Sequence, residues 1–284
     1  MTTTPLVSIP PNGPQGRGYN PALVRGESAD LARPRAGSRI LARQAAPLSY
    51  AVRLAGSREE MRAAQALRFA VFNLELGEGL ESSYDTCLDE DPFDAICDHL
   101  IVESDGEVVG TYRLQTGRTA AAHLGYYSEG EFDFAPFEAR RDEIVELGRA
   151  CVAREHRNLA VLGLLWRGIF DYARSVGGRY LVGCGSLASQ VEAEGAALYH
   201  TLVQRFSAPA GWRTQPRPQC ACSLEEPSAR APRPPKLLSA YLSLGATICA
   251  PPAIDRDFKT IDFLTLLDVE AIPEDARKIL APSL

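Results

Sequence analysis

The sequence predicts a mixed α/β domain in which helices flank a central, mostly antiparallel sheet. Three observations carry that expectation. Two short apolar runs, His99 to Glu103 and Glu107 to Gln115, flank Asp105-Gly106, a dipeptide suited to a tight hairpin turn. The run Glu143 to Ala153 reads as a third, longer strand. Asn158 and Gly177-Gly178 then bracket a stretch with Leu162, Leu165, Trp166, Ile169 and Ala173 on one helical face, and Tyr180 to Gly185 follows as a buried-type strand.

Taken in order, residues 1–47 read as a disordered tail. They hold seven Pro, five Gly and neither Phe nor Trp, so they cannot bury enough apolar area to offset their ordering entropy. The same segment carries six Arg against one Glu and one Asp. A solvated tail is one reading; weak attraction to an anionic membrane surface, and so peripheral contact with the inner membrane, is the other. Order is expected from Leu48 onwards. Ser57-Arg58-Glu59-Glu60 fits a capping box, and Met61, Ala64, Leu67 and Val71 recur at helical spacing, which predicts a helix to about Asn73. A polar, acidic stretch from Glu75 to Asp98 leads into the hairpin. After the third strand come the helix Leu159 to about Val176, the buried strand, and a second helix over Ser189 to Phe206. Residues 207–236, with seven Pro and four Arg, read as a long mobile loop. Pro235 precedes a helix from Lys236 to Leu244, and Asp257 to Val269 alternates enough to close the sheet.

The 284 residues suffice for one sizeable core with extensions, or two small domains. Hydrophobic residues at 45% and charged residues at 23% are ordinary for a soluble globular chain. A net charge of −6 argues against a nucleic-acid binder, which normally carries a basic footprint. No apolar run approaches about 18 residues, so no transmembrane helix is expected, and the N-terminus lacks the apolar core of a secretory signal. The seven cysteines contain no C-x-x-C pair, which points to a reduced, cytoplasmic setting. Cys220-Ala-Cys222 has no partner pair nearby, and His99, His123, His156 and His200 are scattered, so neither a metal nor a cofactor is expected.

The run Glu146-Leu147-Gly148-Arg149-Ala150-Cys151-Val152, followed by Arg154-Glu155-His156-Arg157-Asn158, resembles the central strand and turn of GNAT-fold acyltransferases. More closely, it is similar to the branch that contains ornithine N-alpha-acyltransferases. Leu164-Leu165-Trp166-Arg167-Gly168, Gly183-Cys184-Gly185-Ser186, Pro235-Lys236-Leu237-Leu238, Gly245-Ala246 and Asp262-Phe263 continue the likeness. It covers about residues 50–270, so 48–284 is read as one acyltransferase domain. A more distant likeness is to acyl-homoserine-lactone synthases, through Leu67-Arg68, Glu90-Asp91, Phe93-Asp94 and Gly110-Thr111-Tyr112-Arg113-Leu114. Both likenesses imply acyl transfer from a carrier-protein thioester to an amino-acid-derived amine. Ornithine is the first choice of acceptor. Lysine, glycine or a lactone-synthase reaction are alternatives, and a non-catalytic carrier-binding module is a reading of a different class.

Amide formation from a thioester needs a neutral amine, a polarised carbonyl and a held leaving group. An α-amine is largely protonated at neutral pH, so a carboxylate must bind the ammonium and accept its proton. Glu146, mid-strand, is the candidate, with Arg149 beside it; the alternative is a structural carboxylate paired with Arg149 or Arg113. Arg113 and Arg149 are candidates to clamp the acceptor's carboxylate, or else they balance Glu146 and Asp94. Arg68, Asp91 and Asp94 would fold over the acceptor side, where an acidic pair suits a second amine; a solvated charge run is the alternative. The resemblance implies that the backbone N–H of Val152, or of its neighbour Cys151, faces the thioester carbonyl. It also makes Tyr199 a candidate general acid for the departing thiolate, against plain packing. In the turn, Arg157 stands where the family's first Gly belongs, which should crowd a pyrophosphate. That departure favours acyl carrier protein over coenzyme A, with Arg154, Arg157 and Asn158 on the donor side. Cys184 and Ser186 follow the parallel strand without a base to activate either.

Overall fold

The structure is a computed structural model that describes residues 40–44, as backbone, and 49–274. Its strands are β1 (Ile40–Gln44), β2 (Tyr50–Leu54), β3 (Asp98–Ser104), β4 (Glu107–Thr116), β5 (Ile144–Val152), β6 (Tyr180–Leu187), β7 (Thr247–Ile248), β8 (Ala253–Asp255) and β9 (Thr260–Asp268). They form one sheet in the order β1-β2-β3-β4-β5-β6-β9-β7, with β8 also on β9. Every pairing is antiparallel except β5 with β6. The mostly antiparallel α/β architecture expected from the sequence is therefore the one observed.

Local chemistry explains the elements. Ser57 caps α1 (Arg58–Phe69) in the expected box: its Oγ accepts from the Glu60 N–H and Glu60 accepts from the Ser57 N–H, each at 3.2 Å. The helix does not stop at Asn73. It continues as a π-helical stretch, Ala70–Leu76, and ends at Gly77 in the left-handed region. Asp105 and Gly106 both take positive φ, 51° and 86°, so the β3–β4 turn has the twist a two-residue hairpin needs. The one-turn helices α2 (Ser83–Thr86) and α3 (Gly117–Ala122) follow β2 and β4 along the chain. Asn158 caps α4 (Leu159–Val176) and Gly177 ends it, as the sequence predicts.

The alternation of β4 and β5 sorts their side chains to two faces. Tyr112, Leu114, Val145 and Leu147 pack with Val161, Leu165, Trp166 and Ile169 of α4. Arg113, Gln115 and Glu146 therefore point to the opposite face, which α1 and the segment around Tyr126–Phe137 cover. Beyond β6, α5 (Glu192–Phe206) and α6 (Lys236–Ser243) pack on Ile261 and Phe263 through Leu198, Leu202, Leu238 and Leu242.

Two expectations need correction. Residues 40–44 belong to the sheet, because β1 pairs with β2; the rest of the predicted tail, residues 1–39 and 45–47, lies outside the described residues. The first half of the 207–236 segment is laid against the domain. Trp212 packs on Phe137 and Tyr180, and bridges join Ser207 to Ile248, Phe132 to Pro216 and Ala221 to Ala253. The Pro and Arg content hid one large apolar anchor.

The feature that shapes the site is the parting of β5 and β6. They pair only over Ile144–Glu146 with Tyr180–Val182. Past that point β5 bulges: Gly148 faces Arg113 and Cys151 faces Thr111, so Arg149 and Ala150 together stand opposite Tyr112. Arg149 takes φ 50°, an unusual conformation for a non-glycine residue. Across the gap, a β-carbon on Gly183 would lie 2.3 Å from the Leu147 carbonyl oxygen. Gly183→Ala should therefore destabilise the domain by about 1–3 kcal/mol in denaturant unfolding, because a backbone atom must move. Unchanged stability would show that β5 is not held where the parting requires.

Candidate functional site

Just before the strands part, Glu146 is 5% exposed. It is not paired with Arg149 or Arg113, as the structural alternative required. Its Oε2 accepts the Tyr127 N–H and its Oε1 the Ser128 N–H, both at 2.8 Å. Burial raises its pKa, while the Ser128 and Tyr127 donors and the positive Arg113 pull it back down. Nothing in the sequence signals these partners, since any residue but Pro supplies a backbone N–H. Glu146 lines a small pocket with Cys97, Arg113, Gln115, Tyr127, Ser128, Leu147, Gly148 and Cys184.

Arg113 and Arg149 belong to a buried ionic network. Arg68 bonds Asp89 through Nε at 2.7 Å and Asp94 through both terminal nitrogens at 2.9 and 2.7 Å. Arg113 reaches Asp91 at 2.6 Å and Asp94 at 3.0 Å. Arg149 reaches Asp89 at 3.2 Å and Asp91 at 3.1 Å. Three cations thus meet three carboxylates, and Asp94 is held well below the usual carboxylate range because the attraction of Arg68 and Arg113 overcomes its burial. This overturns the solvated-charge-run reading of Arg68, Asp91 and Asp94. It also corrects the balance expected for Arg149, whose partners are Asp89 and Asp91 rather than Glu146. Asp89 escaped the sequence reading because its stretch looked like a polar surface. Tyr127 escaped it too: its ring lies 5.4 Å from the Arg113 guanidinium and 4.7 Å from that of Arg149, and its hydroxyl donates to Asp255 at 3.3 Å.

On the donor side, Cys151 is buried with Val71, Phe72 and Phe258. Its thiol is pushed up to about 12 by burial. The Ala153 N–H bonds the Val109 carbonyl on β4, so by strand alternation the Val152 N–H faces away from β4. The Val152 carbonyl accepts from Arg157 Nε at 3.0 Å, and the Arg157 guanidinium grips Glu75 through two bonds at 2.6 and 2.7 Å. Arg157 thus folds back across the turn and ties it to the π-helical stretch. Leu67, Ala70, Val71, Leu74, Glu75, Ala153, Arg154 and Glu155 line an open groove there. Leu74 and Leu159 are exposed, 64% and 86%. Asn158 accepts the Ala160 and Val161 N–H groups as the cap of α4. Tyr199 packs against the apolar cluster beneath α5 and is absent from the Glu146 pocket lining.

Behind Cys184 lies a second buried acid pair. Ligand atoms of Glu131, Cys184 and Asp262 all fall within 4.8 Å of one another, the arrangement closest to a metal-binding trio among the described residues. Burial and the Asp262 charge push Glu131 well up, and burial pushes Asp262 up to about 6. Burial and Glu131 also push the Cys184 thiol well up, which keeps it protonated and poor as a nucleophile.

The family model for an acetyltransferase (GNAT) domain matches residues 67–167. An L-ornithine N(alpha)-acyltransferase of Rhodobacter capsulatus is 35% identical over 250 residues, covering 82% of this chain and 95% of that protein. One of Brucella abortus is 36% identical, covering 79% of this chain and 86% of that protein. Among solved structures, the acyl-homoserine-lactone synthase LasI aligns over 82% of this chain and 95% of its own at 11% identity, with a TM-score of 0.48.

The acid pair yields a pH prediction. An unfolded Asp titrates near about 3.9, and Asp262 in the fold near about 6. The folded pair therefore holds more protons than the unfolded chain in this window. Its contribution to stability is present below about pH 4 and lost as pH rises through about 6. Asp262→Asn, which cannot ionise, should flatten the fall in Tm between about pH 4 and pH 6. Equal slopes for the variant and the unaltered protein would contradict the raised pKa of Asp262.

Proposed function

Since the chain belongs to the family of L-ornithine N(alpha)-acyltransferases, we propose that it transfers a long-chain acyl group from the thioester of acyl carrier protein to the α-amine of ornithine, giving lyso-ornithine lipid. The observation that carries this reading is Glu146, a buried carboxylate of raised pKa on a pocket beside the parting of β5 and β6. Such a group accepts a proton from an ammonium more readily than an exposed Glu does. The N–C bond forms as the C–S bond breaks. Of the two protons the ammonium gives up, one leaves through Glu146 and the other ends on the departing sulfur.

The Val152 N–H stabilises the developing oxyanion, and the thioester arm lies in the gap between the strands, with the open groove beside the turn receiving the donor. Arg113 lines the pocket and gives the acceptor's carboxylate a positive wall. Arg68 and Arg149, with Asp91 and Asp94, hold that wall in place. Since Asp91 and Asp94 are ion-paired, the negative potential that favours a second ammonium comes from beyond Cys184, where Asp255 and Asp262 lie. Arg154 and the exposed Leu159 offer a carrier-facing surface at the mouth of the turn, and Tyr199 is the candidate acid for the thiolate. No helix among the described residues is long and apolar enough to cross a membrane, so contact with the inner membrane would be peripheral.

Glu146→Gln should lower acyl transfer by about a hundredfold or more, the scale of lost general-base catalysis, with Tm lowered only by the one backbone N–H that the amide NH2 cannot accept. Mass spectrometry of lipids from an expressing host that lacks aminolipids reads both the loss and the head group. A folded variant with native turnover would remove Glu146 from the reaction, and a head-group mass other than ornithine would rename the acceptor.

The donor is tested by matched 3-hydroxyacyl thioesters of acyl carrier protein and coenzyme A with ornithine as acceptor. Arg157 and Glu75 span the turn where a pyrophosphate would be cradled, so kcat/KM should be higher for the carrier. Equal efficiency with coenzyme A would reject the carrier preference.

A further inference from the structure

Gln115 stands directly across from Glu146 in the β4–β5 register, and both side chains line the same pocket. Its amide is oriented by one firm bond: Nε2 donates to the Gly125 carbonyl at 2.9 Å. That bond fixes the other end of the amide as the oxygen. Gln115 is 2% exposed, and Oε1 has no hydrogen-bond partner among the described residues. A buried carbonyl oxygen without a donor costs about 1–3 kcal/mol, so such groups normally have one. The Tyr127 and Ser128 N–H groups go to Glu146, and Arg113 Nη1 goes to Asp91 and Asp94. The pocket presents two acceptors side by side, Gln115 Oε1 and the Glu146 carboxylate.

We infer that Gln115 Oε1 accepts an N–H of the acceptor amino acid's amine, next to Glu146, and so holds the nitrogen in place for acyl transfer. This rests on the acyl-transfer reading above. A carboxylate has room for about four hydrogen bonds, and Glu146 accepts two from backbone, so it retains capacity for the same amine. With one N–H on Gln115 and another on Glu146, the lone pair of the neutral amine is left to point away from both strands' side chains. The selectivity that follows is for primary amines, which carry enough N–H bonds to satisfy both oxygens. Tertiary amines, which carry none in their nucleophilic neutral form, leave the Gln115 oxygen buried and unpaired.

The test is Gln115→Met, close in volume and without the oxygen. The KM for ornithine should rise about tenfold or more, the scale of a charge-assisted hydrogen bond, while the KM for the acyl donor stays near its native value; Tm reads separately the loss of the Nε2 bond to Gly125. A variant whose acceptor KM and kcat both remain within about twofold of native overturns the inference and leaves the acyltransferase reading intact. Should the Met variant not fold, the unaltered protein supplies the answer. With 15N-labelled glutamine, the Gln115 side-chain NH2 resonance should shift on saturation with ornithine hydrochloride, and an unmoved resonance overturns the inference. If the unaltered protein acylates neither ornithine, lysine nor glycine, both this inference and the reading beneath it fall.

Discussion

The structure depends on six buried charges that sum to zero. Arg68 comes from α1, Asp89, Asp91 and Asp94 from the stretch before the hairpin, Arg113 from β4 and Arg149 from the bulge of β5. Burying any one alone would carry a penalty of several kcal/mol, and even a well-made ion pair barely offsets its desolvation. The network is therefore poor as a source of stability but demanding about geometry. Each guanidinium meets two carboxylates, so none of the four segments can shift without leaving a charge uncompensated. Arg149 shows the consequence. Its left-handed backbone is unfavourable in isolation, and it is held by Asp89, Asp91 and the rings of Tyr127 and Phe258. The bulge that turns β5 away from β6 is thus fixed by charge pairing made far away in the sequence.

Once those charges are paired, the electrostatics of the pocket follow from what remains. Arg113 contributes positive potential, with Nη1 bonded to Asp91 and Asp94. Glu146 contributes a carboxylate whose burial is countered by two backbone donors. Further along the same face, burial and mutual repulsion raise the proton affinity of Glu131, and burial raises that of Asp262. The face changes character over a few residues, from fully paired ions near Asp94 to a surplus of acceptors near Glu146 and Cys184. In the proposed reaction the amine of the acceptor faces the second region.

Much of this was legible in the chain. The capping box at Ser57, the Asp105-Gly106 turn and the Asn158 and Gly177 ends of α4 are local, and local signals do not depend on tertiary partners. Glu146 stood out because an acid inside an apolar strand must be accounted for. What stayed hidden was what required the fold. The stretch Glu75 to Asp98 reads as solvated because its acids find their cations on α1, β4 and β5. The β2 strand is short, and its partner β3 lies more than forty residues on. Trp212 sits among prolines and arginines that mark a loop, yet a single indole is enough to seat the segment. Gln115 looked like one more polar residue on an alternating strand, and only the bond to Gly125 separates its two ends.

The anchoring of Glu146 by two backbone donors, taken by itself, argues for a structural role. A carboxylate that only tied down the Tyr127–Gly130 turn would gain most from remaining ionised, with its pKa pulled below the ordinary value by those donors. Here burial outweighs them, and the pKa moves up instead. The residue is thus held rigidly by bonds to each oxygen while its affinity for a proton is increased. Rigid placement lowers the orientational cost of meeting a substrate proton, and a raised pKa makes the carboxylate the stronger base that the proposed reaction asks for. A carboxylate serving only the turn needs the first property. Proton transfer needs both, and the combination occurs in this pocket at the point where β5 leaves β6.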